Sequence, residues 1–297
     1  MAAYTQSGTV IPSAPFDFAK SLGFVEMFSP ARGEQQVAAH SLTKAIMVLG
    51  QPVGFEVKSV GNVEQPRLDY TLFADQLISK ELKAAALDRL SFYLSVDDDL
   101  KPFYAIAEHD SCLAPVVQHL YGLHQVKFPT PFEIAAWSIL TQRMAIPIAR
   151  KIKDKIVERY GASVEINGQT LWAFPDAAQL AAADPGDLAA LVKNERKVQY
   201  LGAVAEAFKC VDESFLRTGD YDELENWLRS IRGVGEWSAK FIMVRGLGRM
   251  ERLSSTEKHL MAAAKVVYGP GCNVAEEAAR YGVQQGYWAY YLRTTAG

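Results

Sequence analysis

The sequence predicts an α+β protein, in which a small N-terminal layer built on an antiparallel sheet precedes a larger, all-helical body. Short apolar runs between His40 and Phe73 are broken by turn sequences at Gly50-Gln51-Pro52 and Gly61-Asn62, as expected of antiparallel strands joined by tight turns. Beyond them, apolar residues recur at the three- and four-residue spacing of helices. The 297 residues, 49% of them hydrophobic, suffice to bury a core in one large or two smaller domains.

The boundary between the two parts is expected at the acidic triplet Asp97-Asp98-Asp99, which is typical of a solvated turn. Residues 1–99 form the predicted N-terminal α+β domain, which ends in a helix over Lys80–Leu94. Residues 1 to about 14 are small and polar, and we expect them to be frayed. Residues 100–297 form the second predicted domain, which is helical to its end.

Composition excludes several classes of protein. With a net charge of -3 the chain is no polybasic binder, so a role with DNA requires a local basic face. The cysteines Cys112, Cys210 and Cys272 form no C-x-x-C pair, which favours reduced thiols in the cytosol over a disulfide framework. The histidines show no metal-ligand spacing. The sequence has no apolar stretch long enough to span a bilayer and no signal peptide pattern, so we expect a cytosolic protein without membrane contact.

The stretch from Leu228 to Arg245 predicts two helices joined by a hairpin at Gly233-Val234-Gly235. Apolar residues recur at helical spacing on both sides of it. The glycines allow a sharp turn, and the open amides at the start of the second helix form an anion site that fits a phosphate. An ordinary helix-turn-helix corner is the alternative. Four basic residues favour contact with a nucleic-acid backbone instead. They are Arg229, Arg232, Lys240 and Arg245.

The pattern L-x-x-I-x-G-V-G-x-W-S-A over Leu228–Ala239 resembles the helix-hairpin-helix of the DNA glycosylase superfamily that also carries a Gly/Pro-rich loop and a catalytic acid. It is most similar to the 3-methyladenine DNA glycosylase II family. The run F-P-T-P-F-E-I-A-A-W-S-I-L-T-Q-R over Phe128–Arg143 and the opening P-F-D-F then L-G-F also resemble that family. The resemblance extends from Phe16 to about Leu292. It implies two helical subdomains with the active cleft between them.

The resemblance assigns catalysis to a carboxylate downstream of the hairpin, which stabilises an oxocarbenium-like transition state and orients or deprotonates water. The family has an Asp at the start of a helix. Counting along its pattern from Trp237 leads to Glu257, so a Glu replaces the Asp here. The alternative is that Glu257 forms a capping box with Ser254 and takes no part in chemistry. Bifunctional relatives carry a Lys where this chain has Trp237, so the implied chemistry is hydrolysis without strand cleavage.

Four aromatic residues are expected to form the base pocket. Trp237 and Phe241 are four apart and share a helix face. The resemblance adds Trp288 and Phe24. An alkylated purine is positively charged, and aromatic faces attract it by cation–π contacts. For each ring the alternative is ordinary packing, for Phe24 at the sheet edge. Lys258 follows the predicted acid, and a lysine at the pocket mouth would disfavour a cationic base.

The resemblance also implies DNA contacts. Gln142 and Arg143 fall where relatives have a loop whose residue after the glutamine fills the gap left by the flipped nucleotide. The alternative is that Gln142 caps a helix and Arg143 is an exposed charge. The expected phosphate contacts are Arg232, Gly233, Val234, Gly235 and Lys240. Backbone carbonyls of Arg232 and Val234 are expected to bind a Na⁺ or K⁺ ion, with no metal held by side chains and no other cofactor.

The sequence therefore predicts a monomeric, monofunctional DNA glycosylase of base excision repair. Its partner is double-stranded DNA with damaged bases. It would flip an alkylated purine out of the duplex and hydrolyse the N-glycosidic bond, leaving an abasic site. Two alternatives stay open. One is a non-catalytic binder of damaged or bent DNA on the same scaffold. The other is a glycosylase for deaminated or mismatched bases.

Overall fold

The computed structural model describes residues 4–27, 34–253 and 257–295, and it confirms the α+β class. The strands are Tyr4–Val10 (β1), Gln35–Ala38 (β2), Ser41–Val48 (β3), Gln51–Ser59 (β4), Leu68–Ala74 (β5), Ala162–Ile166 (β6) and Gln169–Ala173 (β7). The helices are Phe18–Met27 (α1), Lys80–Leu94 (α2), Lys101–Ala107 (α3), Ala114–Leu120 (α4), Pro131–Leu140 (α5), Ile146–Tyr160 (α6), Ala177–Ala181 (α7), Pro185–Val192 (α8), Glu195–Cys210 (α9), Glu213–Thr218 (α10), Tyr221–Ser230 (α11), Glu236–Gly246 (α12), Lys258–Tyr268 (α13), Val274–Arg280 (α14) and Gln285–Thr295 (α15). Over these ranges, no helix combines the length and apolarity that a membrane crossing requires.

Five strands form one antiparallel sheet in the order β1-β5-β4-β3-β2. The prediction that residues 1 to about 14 are frayed is wrong, because β1 pairs with β5 along its whole length, from Tyr4 opposite Ala74 to Val10 opposite Leu68. The side chains of β1 alternate between exposed and half-buried, as in an edge strand. Small polar residues suit that position as well as they suit a free tail, so the composition of this segment misled the prediction.

The prediction that the chain is helical from Asp99 to its end is wrong at β6 and β7. These two strands form a hairpin whose turn is Asn167-Gly168, with φ of 52° and 82°. An Asn-Gly pair between alternating apolar residues is a strong local signal for such a turn. Ile166 packs with Met47 and Phe73 of the five-stranded sheet. The hairpin therefore covers the face of the sheet that α1 and α2 leave open.

The buried residues of the described ranges form separate cores. The N-terminal core lies between the sheet and helices α1 and α2. A second core is built by α5 to α12. A third joins α3 and α4 to the C-terminal helices α13 to α15. Helix α12 serves two of them, since Ile242 belongs to the second core and Val244 to the third. The domain boundary at Asp99 stays a prediction.

Helix α12 packs closely on α5, a helix in which every residue is buried. The contact depends on Gly246, the last residue of α12. A Cβ added there would lie 2.2 Å from Cγ2 of Ile134, and nearby atoms of the same isoleucine are also too close. Only glycine allows this approach of backbone to side chain. The position of α12 is therefore fixed by the shape of α5.

A buried cluster of charges links the N-terminal layer to the helical body. Lys153 of α6 is fully buried and donates to Glu34 and to Oε1 of Glu133, the latter over 2.8 Å. Nζ of Lys44 in β3 lies 3.8 Å from Oε2 of Glu34. Two positive and two negative charges thus compensate one another away from water. Removing one partner would leave the others uncompensated.

Replacing Lys153 by methionine should lower the free energy of unfolding by about 3–5 kcal/mol, because two carboxylates would stay buried without their common partner. Urea denaturation measures the change. Lys209→Met is the matched control, since Lys209 pairs with Glu206 at an exposed site and its loss should leave the unfolding midpoint in place. Equal effects of the two substitutions would show that the buried cluster does not hold the layers together.

Candidate active site

The predicted helix-hairpin-helix is confirmed: α11 ends at Ser230 and α12 begins at Glu236. The amide of Val234 donates to the carbonyl of Ile231 over 3.0 Å, which closes the turn. Gly233 has φ of +97°, in the left-handed region that favours glycine. The residue before α12 is extended, and no side chain of the described residues caps the helix. The first amides of α12 are therefore available to an anion, together with the positive end of the helix dipole.

Gln142 has a role that the sequence did not predict. Its Nε2 donates to the carbonyl oxygen of Gly233 over 2.8 Å, so it neither caps a helix nor points away from the protein. The loop after α5 is thereby tied to the hairpin. Arg143 is exposed beside it, with φ of +50°. Its insertion into the duplex stays a prediction.

The basic face at the hairpin is smaller than the sequence indicated. Arg232 is exposed and donates to Gln199 over 2.9 Å. Lys240 pairs with Glu236 one helical turn earlier, over 2.8 Å. Arg245 does not belong to this face, because its guanidinium lies over the rings of Phe24 and Tyr290. The expectation that it flanks the hairpin as a phosphate contact is therefore wrong.

A cavity of about 790 Å³ lies beside α12, where the second and third cores meet. Its lining residues come from α5 and the residue after it, from the start of α6, from α12, from the segment around the start of α13, and from α15. They are Trp137, Thr141, Ile146, Glu236, Trp237, Lys240, Phe241, Val244, Arg245, Leu253, Glu257, His259 and Arg293. A volume of this size is within the usual range for small-molecule sites and accommodates a nucleobase.

Glu257 lines this cavity from the start of α13. It is itself the N-cap of that helix, and its side chain makes no capping hydrogen bond. A capping box requires the glutamate three residues inside the helix, so α13 does not contain the predicted box. Ser254, its proposed partner, lies outside the described residues. Oε2 of Glu257 instead lies 2.6 Å from Nη2 of Arg293 in α15. This arginine was missed, because nothing in the local sequence joins it to Glu257.

Trp237 and Phe241 share one face of α12, as predicted, and both line the cavity. Their rings are stacked, with centroids 5.1 Å apart and planes inclined by 10°. Trp237 is 58% exposed. An indole so open to solvent, beside a cavity, offers a surface on which a planar group can stack.

The other two predicted pocket residues lie elsewhere. Trp288 is fully buried in the third core, where its Nε1 donates to the hydroxyl of Tyr268 over 2.8 Å. Phe24 packs between the first and third cores, with its ring 5.4 Å from that of Tyr290. Neither residue lines the cavity. Helix α15 is buried from Gly286 to Leu292. The spacing of its aromatic residues therefore does not indicate which of them faces the cavity.

Arg245 lies over the ring of Phe24, one of the four aromatic residues predicted for the base pocket, and over that of Tyr290. Its guanidinium carbon lies 4.9 Å from the ring centroid of Phe24 and 5.7 Å from that of Tyr290. Burial lowers the pKa of Arg245 to about 10, which leaves it charged at neutral pH. The lining residues include three with a positive charge and two with a negative charge, so their net charge is +1 when His259 is neutral. The positive residues are Lys240, Arg245 and Arg293, and the negative ones are Glu236 and Glu257.

Within the three described ranges, no group of three His, Cys, Asp or Glu side chains is placed to hold a metal ion. The cation at the carbonyls of Arg232 and Val234 stays a prediction. The carbonyl between them, that of Gly233, accepts the hydrogen bond from Gln142.

A family model matches the part of the chain that begins within α5 and ends at the turn before α15. Residues 136–282 match the family model described as HhH-GPD superfamily base excision DNA repair protein. The chain belongs to this HhH-GPD superfamily. The match includes the hairpin, the stacked aromatic pair and Glu257. Of the charged cavity residues, Arg293 alone lies beyond it.

Named relatives agree with this membership. The chain is 31% identical over 157 residues to a DNA-3-methyladenine glycosylase of Bacillus subtilis (strain 168), which is 52% of each chain. It spans about half the length of the curated relatives it matches, or less. A 3-methyladenine DNA glycosylase from Archaeoglobus fulgidus shares the fold, with a TM-score of 0.76, 20% identity and coverage of 97% and 98% of the two chains. A DNA-3-methyladenine glycosidase from Bacillus halodurans has a TM-score of 0.55 at 25% identity, over 67% of this chain and 90% of that one.

Gly233→Ala should lower the free energy of unfolding by more than about 1 kcal/mol, because the residue has positive φ. Its Cβ would also meet the ring of Tyr200 at 2.4 Å. Gly235→Ala is the matched control, since φ there is −88° and a Cβ would meet no atom within 4 Å. Urea denaturation of both variants measures the difference. Similar losses would show that the turn does not depend on the left-handed conformation of Gly233.

Proposed function

We propose that this protein is a monofunctional DNA glycosylase, which draws a damaged base out of duplex DNA into the cavity beside α12 and hydrolyses its N-glycosidic bond. One observation carries the proposal. The carboxylate of Glu257 lines the same cavity as the stacked rings of Trp237 and Phe241. These two rings belong to α12, the helix whose N-terminus follows the hairpin. The names of the relatives, which give 3-methyladenine in DNA, support alkylated bases as the lesion class and DNA as the partner.

Binding begins at the hairpin. The open amides at the start of α12 donate hydrogen bonds to a phosphate of the DNA backbone, and Arg232 and Lys240 add positive charge beside it. Such contacts fix the register of the protein on the duplex without reading sequence. Arg143, at the exposed tip of the loop that Gln142 ties to the hairpin, fills the space that the extruded nucleotide leaves.

The extruded base stacks on the exposed face of Trp237. Stacking of a base on an aromatic side chain contributes about 1–3 kcal/mol and tolerates any base. It therefore offsets part of the cost of unpairing without choosing the lesion. Selection is left to the polar groups of the cavity and to the stability of the damaged base pair.

Glu257 supplies the charge that the reaction needs. As the bond from C1′ to the base breaks, its electron pair leaves with the base and the sugar becomes an oxocarbenium ion. The carboxylate stabilises that cation and takes a proton from the water that attacks C1′. Because an alkylated purine carries a positive charge, it leaves with that electron pair as a neutral molecule. The proton of the attacking water stays on Glu257 until solvent takes it, and an abasic site results. Arg293 is a positioning residue here, since its ion pair sets the orientation of the carboxylate.

Lys240, the lysine among the described lining residues of the cavity, supports hydrolysis without strand cleavage. Schiff-base chemistry on the sugar requires a neutral amine at C1′. Lys240 holds an ion pair with Glu236, and Trp237 occupies the position of the lysine in bifunctional relatives.

Glu257→Gln should lower the rate of base release at least about a hundredfold, because the neutral amide cannot stabilise the sugar cation. Affinity for the same duplex should stay within error. The assay is release of base from alkylated DNA under single-turnover conditions. Strands should break only after alkali treatment, and borohydride should trap no covalent complex. Glu236→Gln is the matched control, since Glu236 lines the same cavity but pairs with Lys240.

Two results would count against the proposal. Wild-type protein that binds damaged duplexes but releases no base would be a binding protein on a glycosylase scaffold. Equal loss of activity in the Glu257 and Glu236 variants would remove Glu257 from its special role.

A further inference from the structure

We propose that Lys197 is a positioning residue for base extrusion, which holds the loop after α5 in the conformation that carries Arg143 into the duplex. This loop consists of residues 141–145, between α5 and α6. Lys197 lies in the first turn of α9 and is not among the residues that line the cavity. The proposal rests on the glycosylase activity proposed above, since it assigns a residue to one step of that reaction.

Lys197 is a buried lysine that forms no ion pair with any of the described residues. It is 6% exposed, and burial alone lowers its pKa below the usual value for lysine. Burying a charged group costs free energy unless the group is compensated, as Lys153 is by Glu133. The ammonium group of Lys197 therefore requires another kind of partner.

That partner is the C-terminal end of α5. Nζ of Lys197 donates to the carbonyl oxygen of Leu140, the last residue of α5, over 2.5 Å. It also lies 3.8 Å from Sδ of Met144, inside the loop. The carbonyls of the last helical turn have no partner within the helix and carry the negative end of its dipole, so they stabilise an ammonium group. Lys197 therefore contacts the chain both before and after Arg143.

Arg143 has a strained backbone conformation between these contacts. Its φ is +50°, in the left-handed region that residues with a side chain rarely adopt. Such a conformation persists where the surrounding structure enforces it, which is common at functional sites. Gln142 enforces it from the hairpin, through the carbonyl of Gly233, and Lys197 enforces it from α9. Without Lys197 the loop can relax, and the side chain of Arg143 would lose its orientation toward the duplex.

The first two turns of α9 also support the hairpin. Tyr200 lies one helical turn after Lys197, and a Cβ added at Gly233 would lie 2.4 Å from Cγ of its ring. Gln199 accepts the hydrogen bond from Arg232 over 2.9 Å. Helix α9 therefore contacts both loops within about one turn. The spacing of its side chains sets the distance between the phosphate site and the side chain that enters the duplex.

The test is a double-mutant cycle on the single-turnover release of 7-methylguanine from a duplex. Lys197→Met keeps the length of the side chain and removes its donor. It should slow release at least about tenfold, the factor expected for the loss of one hydrogen bond from a charged group. In the Arg143→Ala background it should slow release by less than about twofold, because no side chain is left to position. A merely structural role would give the same factor in both backgrounds.

Three further variants keep the test decisive. Lys197→Arg retains a charged donor and should restore release from the duplex to within about twofold of the wild-type rate. Lys197→Gln replaces Lys197→Met if circular dichroism shows that the latter does not fold, since its shorter amide does not reach the carbonyl of Leu140. Lys209→Met is the matched control, because Lys209 lies at the other end of α9, is exposed and pairs with Glu206.

The outcomes separate the two proposals. Equal slowing with and without the side chain of Arg143, or a wild-type rate in the folded variants that lack the donor, overturns the positioning role of Lys197 and leaves the glycosylase activity standing. Release of no base by a wild-type protein that binds the duplex overturns the glycosylase activity, and the role of Lys197 in extrusion falls with it.

Discussion

The site depends on the close packing of α12 against α5, where Gly246 lies against Ile134. Because this contact fixes the C-terminal end of α12, it fixes the groups that the helix carries. The open amides lie at its N-terminus, Trp237 and Phe241 follow on one face, and Arg245 lies one turn further. An α-helix rises about 1.5 Å per residue. The amides, the stacked rings and the arginine are therefore held at fixed spacings along one element.

The second half of the site comes from the other side of the cavity. Glu257 is the N-cap of α13 and Arg293 lies in α15, and their ion pair links the two helices at the cavity wall. The carboxylate is therefore held by the third core, and the stacking surface is held by the second. Chemistry at the sugar therefore requires a constant separation between the second and the third core. The buried charge cluster around Lys153 joins the N-terminal layer to α5 and α6, which contributes to the stability of this arrangement.

Local patterns predicted much of this structure. The bounds of α2, the hairpin and the shared face of Trp237 and Phe241 are as expected, since each depends on residues within a few positions of one another. Three of the failures, those at β1, Trp288 and Arg293, have a common cause. Strand β1 is defined by a partner far along the chain, and Trp288 and Arg293 are placed by the packing of α15. The Asn167-Gly168 turn is different, because its local signal was present and was overlooked.

The hydrogen bond from Gln142 to the carbonyl of Gly233 has a mechanical consequence. It prevents the loop that carries Arg143 from moving independently of the hairpin. On the proposed function, a side chain that enters the duplex then does so at a constant offset from the gripped phosphate. The protein would first test how easily the double helix bends and unstacks at that offset. A damaged base that stacks weakly would leave the duplex before any of its chemical groups is recognised. Ease of unstacking would then be the first property by which the protein distinguishes a lesion.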